Sequence, residues 1–172
     1  MIEIKSSEEI EKLRQAGRVL VKIVADLKPN IKAGIKSQEI DRIAEELIRK
    51  SGATAAFKGY RGFPASVCVS INEEIVHGIP GERTIIEGDI VSLDIGINLD
   101  GFFSDTAFTV GIGSINNQKQ KLINTAKKAL EIGISKAKVN NYLGDISAGI
   151  QRFVEAQGFS VVRDFVGHGI GR

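Results

Sequence analysis

From Ser6 onward the apolar residues Ile10, Leu13, Leu20, Ile23, Val24 and Leu27 recur at helical spacing until Pro29, and Ser6 is followed three positions later by Glu9. A serine paired with a glutamate in this way is a capping box, so the pattern predicts an amphipathic helix that starts beside Ser6. After a turn-like stretch over 28–36, Ser37 is placed to cap a second helix with apolar positions Ile40, Ile43, Leu47 and Ile48, stopped by Gly52. The period then changes. Ala65 to Ile71, Ile90 to Ile97 and Phe102 to Val110 read as strands. From about Gln118 the helical period returns: Leu122, Ala126, Ala129 and Leu130 mark a third helix, and Leu143, Ile146, Ile150, Phe153 and Val154 a fourth, closed by Gly158. Phe159 to Val166 is expected to be a strand again.

The two helix pairs line up at an offset of 106 residues, with Ile40 over Ile146, Leu47 over Phe153, Ile48 over Val154 and Gly52 over Gly158. Such an offset is what an internal duplication leaves behind, and two unrelated amphipathic helices can also show it by chance. The first copy runs on through several strands to about Val110, whereas the second ends after one expected strand. If the halves are equivalent, the second lacks about 50 to 90 residues.

Composition narrows the class without naming a function. With 172 residues, 42% of them apolar and 26% charged, the chain has ordinary globular proportions, and a chain of this length buries roughly 70% of its unfolded surface. Lys and Arg outnumber Asp and Glu by only 23 to 21, and no dense basic cluster calls for nucleic acid. The single cysteine, Cys68, excludes an internal disulfide and fits a reducing compartment. No apolar run approaches the roughly 18 residues of a membrane span. The expectation is a cytoplasmic protein without a membrane partner.

Two strands flank Asn98-Leu99-Asp100-Gly101, which reads as a four-residue hairpin loop. If Ile97 pairs with Phe102, Asp94 faces Asp105 directly, and opposed like charges demand neutralisation by a shared proton, a basic side chain or a divalent metal. A register shifted by two, leaving two solvated aspartates at a strand end, stays open. The only histidines are His77 and His168, each next to glycine, where backbone approaches a ligand closely. Carboxylates with a neutral imidazole suit Mn, Fe, Co or Zn and can activate a water for hydrolysis. The glycines of 167–171 do not complete a dinucleotide fingerprint, because Arg172 stands at the third glycine position. Cys68, inside a strand, reads by default as a small buried residue.

Several ordered motifs carry a family resemblance: Glu8 to Arg18, Gly59-Tyr60-Arg61-Gly62-Phe63-Pro64, Ser70-Ile71-Asn72-Glu73, His77-Gly78-Ile79-Pro80, Gly88-Asp89-Ile90-Val91, Asp94, Asp105-Thr106 and Gly167-His168-Gly169-Ile170-Gly171-Arg172. Together they resemble the bacterial type I methionine aminopeptidases over the whole chain. The resemblance implies an α+β pita-bread fold of two pseudo-symmetric halves, here a complete first half and an incomplete second, with 1–172 as one truncated catalytic domain. It implies removal of the initiator methionine from nascent chains by hydrolysis assisted by two divalent ions, Co, Mn, Fe or Zn. Asp94 would bind one metal, Asp105 bridge both and His168 bind the second. His77 would be catalytic, hydrogen-bonding the scissile amide or the developing intermediate. Tyr60, Phe63 and Cys68 would line the methionine pocket. N-terminal methionyl peptides are the implied partners, with ribosome association and a monomeric full-length protein.

The departures from that family are equally specific. Its members continue past the glycine-rich motif into a segment with a second active-site histidine and later two metal-binding glutamates, which this sequence does not contain. Phe57 and Phe63 stand where bacterial members often carry cysteine and tyrosine. The chain alone is therefore expected to be inactive or weakly active. Two alternatives remain at this stage: an Xaa-Pro-type peptidase of the same fold, and a metal-free binding member of it.

Overall fold

The computed structural model describes residues 3–172, which form two compact units. The first comprises the chain up to Ile115 together with Gly169–Arg172; the second is Asn116–His168.

In the first unit, helix α1 (Ser7–Leu27) opens on the expected capping box. Ser6 Oγ accepts from the Glu9 amide at 3.2 Å, and Glu9 Oε2 accepts from the Ser6 amide at 2.8 Å. Two of the otherwise orphaned donors of the first turn are thereby satisfied. Only the later part of its apolar stripe sinks into the core: Ala16, Leu20, Ile23 and Leu27 are buried, while Ile10 is exposed. Helix α2 (Ser37–Lys50) starts one residue earlier than the serine cap requires. Lys36 is the cap residue, its amide held by Glu39 Oε2 at 3.0 Å. Ser37 is instead the first helical residue, and its buried hydroxyl exchanges two hydrogen bonds with the backbone of Gly81, at 3.1 and 2.9 Å. Gly52 ends the helix in the left-handed conformation, φ 77°, which costs glycine nothing.

The sheet has four strands: β1 (Thr54–Ala55), β2 (Val67–Ile71), β3 (Ile90–Leu99) and β4 (Phe102–Gly111). All pairings are antiparallel. β4 runs along the whole of β3 from Ile90↔Gly111 to Leu99↔Phe102. β2 and the short β1, which the sequence pattern did not reveal, lie end to end along the other edge, against 91–95 and 97–98. The hairpin is tighter than expected. Leu99 pairs with Phe102, so the loop is only Asp100-Gly101, with φ of 52° and 84°, and Asn98 Oδ1 accepts from the Gly101 amide at 2.9 Å. Two left-handed residues match the twist of the strands they join.

Alternation along the strands separates two faces. Val67, Val69 and Ile71 of β2 and Val91, Leu93, Ile95 and Ile97 of β3 pack with Leu20, Ile23 and Leu27 of α1 and Ile40, Ala44 and Ile48 of α2. Each such aliphatic side chain contributes about 1.5–3 kcal/mol by leaving water. The last residues of the chain close on the same unit. The Phe103 amide donates to the Gly171 carbonyl at 2.8 Å. Arg172 reaches Glu9 Oε1 at 3.0 Å, with its guanidinium 5.0 Å from the centre of the Phe102 ring.

The second unit is a helical hairpin of α3 (Asn117–Lys136) and α4 (Leu143–Ala156). Asn116 caps α3, its Oδ1 accepting from the Lys119 amide at 2.8 Å. Glycines let the helices approach: a Cβ on Gly133 would lie 3.0 Å from Ile150 Cδ1, and one on Gly149 would lie 3.4 Å from Ile132 Cγ2. α4 has the length of α2 displaced by 106 positions, and Gly158 ends it at φ 82°, as Gly52 ends α2. The strand expected over Phe159 to Val166 does not form; the segment runs through bends. A run of β-branched and aromatic residues becomes a strand only where another strand supplies partners for the backbone, and among the described residues the second unit contains none.

Candidate active site

The face of the sheet turned away from α1 and α2 carries the polar residues of the strands. Cys68 and Ser70 of β2, Ser92, Asp94 and Gly96 of β3, and Asp105, Ala107 and Thr109 of β4 share it by register. Asp94 lies opposite Cys68 on one side and Ala107 on the other, while Asp105 lies opposite Gly96. The direct opposition of Asp94 and Asp105 expected from a four-residue loop is therefore incorrect: shortening the loop to two residues slides β4 by two positions. A slip of two preserves the face. The aspartates become diagonal neighbours, with Cα atoms about 7–8 Å apart. Both are half-buried within the strands, not solvated at a strand end. Beside them the hydroxyls of Ser92 and Thr109 are hydrogen-bonded at 2.8 Å.

Burial first, and then the charges of Asp94 and Asp105, push the Cys68 thiol up to about 12. Such a donor set fits a divalent cation, whose charge removes the repulsion between the carboxylates. Among the described residues no cluster of three or more His, Cys, Asp or Glu side chains has metal-holding geometry.

Phe57 supplies an apolar wall. A Cβ on Gly96 would lie 2.7 Å from Phe57 Cε1, so the half-buried ring lies over the one position on this face of β3 without a side chain. The glycine at 96 is required for that approach, a requirement that the strand pattern alone does not show. Of the other expected pocket residues, Cys68 is buried on the aspartate face and Phe63 is half-buried. Tyr60, in the tight turn of Tyr60–Gly62, is 64% exposed.

His77 is exposed and has φ 58°, a left-handed conformation that histidine adopts at a cost. Its neighbour explains how it is held. The Val69 amide of β2 donates to the Gly78 carbonyl at 2.9 Å, and the Gly78 amide donates to Ser70 Oγ at 3.1 Å. A Cβ on Gly78 would lie 2.2 Å from the Val69 carbonyl oxygen. The loop bearing His77 is thereby pinned to the edge of β2 one residue from Cys68. His168, also exposed, is the last residue of the second unit.

Carboxylates projecting from adjacent antiparallel strands, on the face opposite a helix layer, mark the class of metal-dependent hydrolases built on the pita-bread fold. The chain belongs to metallopeptidase family M24, whose family model matches residues 11–172. It is 52% identical over 172 residues to a methionine aminopeptidase of Clostridium perfringens, covering all of this chain and 69% of that protein. The structure of methionine aminopeptidase from Rickettsia prowazekii superposes with a TM-score of 0.97 at 33% identity, covering 99% of this chain and 69% of that one. An X-Pro aminopeptidase of Thermotoga maritima gives 0.82 at 24% identity, with 98% and 47% coverage, a likeness of fold alone.

Proposed function

We propose that this chain is the larger part of a methionine aminopeptidase and that Asp94, Asp105 and His168 hold its metal ions. The observation that carries this reading is the placement of Asp94 and Asp105 on one half-buried sheet face, within a chain 52% identical to such an enzyme. A bound divalent cation supplies Lewis-acid polarisation of the scissile carbonyl and brings the pKa of a bound water near neutrality. In the full-length protein we take the ions to be two in number and drawn from Co, Mn, Fe and Zn.

The chain's own residues would do the rest. Asp94 and Asp105 fix the position of positive charge at the sheet. His77, projecting from the pinned loop, donates a hydrogen bond to the scissile amide or to the oxygen that gains charge, where such donors are worth about 10²–10³ in rate. Tyr60, Phe63 and Cys68, with Phe57, form an apolar pocket whose soft sulfur neighbour suits a thioether side chain. The substrates are N-terminal methionyl peptides of nascent chains. In this reading residues 1–172 are one catalytic domain of a cytoplasmic, monomeric protein that works at the ribosome.

Isothermal titration with Mn²⁺ tests the metal assignment. At most one weak site is expected, because three ligands include only two carboxylates, and Asp94→Ala or Asp105→Ala should remove it. Binding unchanged in both variants would overturn the assignment. Turnover by this chain alone should be negligible. With its sheet and helices complemented, a Met-Ala-Ser peptide should lose methionine, whereas a requirement for proline at the second position would favour the Xaa-Pro alternative.

A further inference from the structure

Residues 73–77, which carry His77 out from the end of β2, are all exposed. Ile75 and Val76 are 68% and 46% open to water, so burial does not hold this segment. Polar contacts at its two ends do. At the far end Gly78 is bonded to Val69 and to Ser70 Oγ. At the near end the chain leaves β2 through Asn72, whose φ of 57° turns it away from the strand. Asn72 nevertheless stays attached to β3: its amide donates to the Ile90 carbonyl at 3.0 Å, and its Oδ1 accepts from the Ile90 amide at 3.1 Å. Its Nδ2 donates at 2.7 Å to Oδ1 of Asp89, a residue only 5% exposed. The other oxygen, Asp89 Oδ2, accepts from the Ile86 amide at 3.0 Å.

Asp89 takes no part in the chemistry proposed above, yet a buried carboxyl group is costly unless its oxygens are matched with donors. Both of its oxygens face donors, so a carboxylate serves both, whereas the amide of an asparagine would turn its NH2 group toward one of them. Asn72 has the converse pattern, with one acceptor and one donor in use. The two side chains are complementary, and would be so again if they were exchanged. We propose that Asp89 and Asn72 are positioning residues for His77: the buried carboxylate fixes the Asn72 amide, which sets the direction in which the His77 loop leaves β2. This deepens the reading of His77 as a hydrogen-bond donor to the reacting amide, and rests on it. A donor that acts on a transition state must be held to within about 0.5 Å. An exposed loop with left-handed residues at Asn72 and His77 does not keep such geometry unaided.

The test uses the metal-free 172-residue chain, read by NMR order parameters and amide hydrogen exchange. The ring signals of the only two histidines, His77 and His168, are told apart by His168→Gln. Asp89→Asn sets a donor against a donor, and Asn72→Asp a carboxylate against a carboxylate. Each should speed exchange at Val69 and Gly78 about tenfold or more, lower the order of 73–77 and shift the His77 ring signal. Asn72→Asp combined with Asp89→Asn should restore all of these, because the exchanged pair again offers acceptors to the Ile90 and Ile86 amides and a bond between the side chains. Asn72→Gly is the gentler variant. Glycine accepts a φ of 57° without strain and removes only the side-chain bonds, so the loop should loosen in it even where Asp89→Asn fails to fold. Ser6→Ala, which weakens the cap of α1, should leave 73–78 as in the parent. Parent-like order at His77 in Asn72→Gly and Asp89→Asn, or loosening that the exchanged pair does not repair, overturns the proposal. These readings need no turnover, so their failure leaves the donor role of His77 standing. An unchanged kcat in His77→Ala of the full-length enzyme would sink that role and leave the loop measurements as they are.

Discussion

Replacing Gly78 by alanine tests the loop that carries His77 through a single atom. The new Cβ would lie 2.2 Å from the Val69 carbonyl oxygen, 2.7 Å from its carbon and 2.9 Å from Ser70 Cα. All three belong to backbone inside a paired strand, so no side chain can swing aside. Relief requires the loop to lift by about an ångström, which stretches the 2.9 Å bond from the Val69 amide beyond hydrogen-bonding range. Val69 is 2% exposed, so its amide would be left buried without a partner at a cost of about 1–3 kcal/mol, and the bond to Ser70 Oγ would add about 1 kcal/mol. A destabilisation of about 2–4 kcal/mol follows, measured as a shift of the urea midpoint at constant slope. Hydrogen exchange should show faster exchange at Val69. Gly81→Ala is the control: no atom lies within 4 Å of its added Cβ, so its cost should stay within about 0.5 kcal/mol. Equal stability of the two variants, with Val69 still protected, would refute the reasoning.

The Cys68 thiol, pushed up to about 12, should be alkylated by iodoacetamide at pH 8 about 10³-fold more slowly than a free thiol. In chelator, the thiol's raised folded value means that its stabilisation is complete below about pH 9 and lost as pH rises toward 12. Denaturation between pH 9 and 11 should therefore show a loss of about 1.4 kcal/mol per pH unit that Cys68→Ala lacks. Asp94→Ala and Asp105→Ala should be as stable as the parent in chelator, or more stable by about 1 kcal/mol from relieved repulsion; a fall of several kcal/mol would show that the carboxylates are structural acceptors. Ser6→Ala should cost about 1 kcal/mol in thermal unfolding through loss of the α1 cap, and no change would show that Glu9 suffices.

Helices were legible because each announces its own ends. The capping box at Ser6 and the glycines at 52 and 158 are local signals, and α2 and α4 realise the 106-residue offset between them. The strands needed information from elsewhere in the chain. Asp94 and Asp105 were placed on the right face because face depends only on alternation. Their pairing was misjudged because register depends on loop length, and Asp100-Gly101 alone could accept both left-handed conformations. β1 is too short to have a period. Phe159 to Val166 has the β-branched and aromatic residues of a strand without a neighbour. Gly78 and Gly96 look like ordinary strand and loop glycines until Val69 and Phe57 are brought against them.

The first unit is assembled from both ends of the chain, because Gly169–Arg172 return to β4 and α1 after the whole of the second unit has intervened. During vectorial synthesis α1, α2 and the four strands can therefore pair before the ribosome reaches Arg172, but the Phe103 amide and Glu9 Oε1 wait for partners more than sixty residues downstream. Until then the outer edge of β4 lacks that covering segment, at the stage when unpaired strand edges are most exposed to other chains.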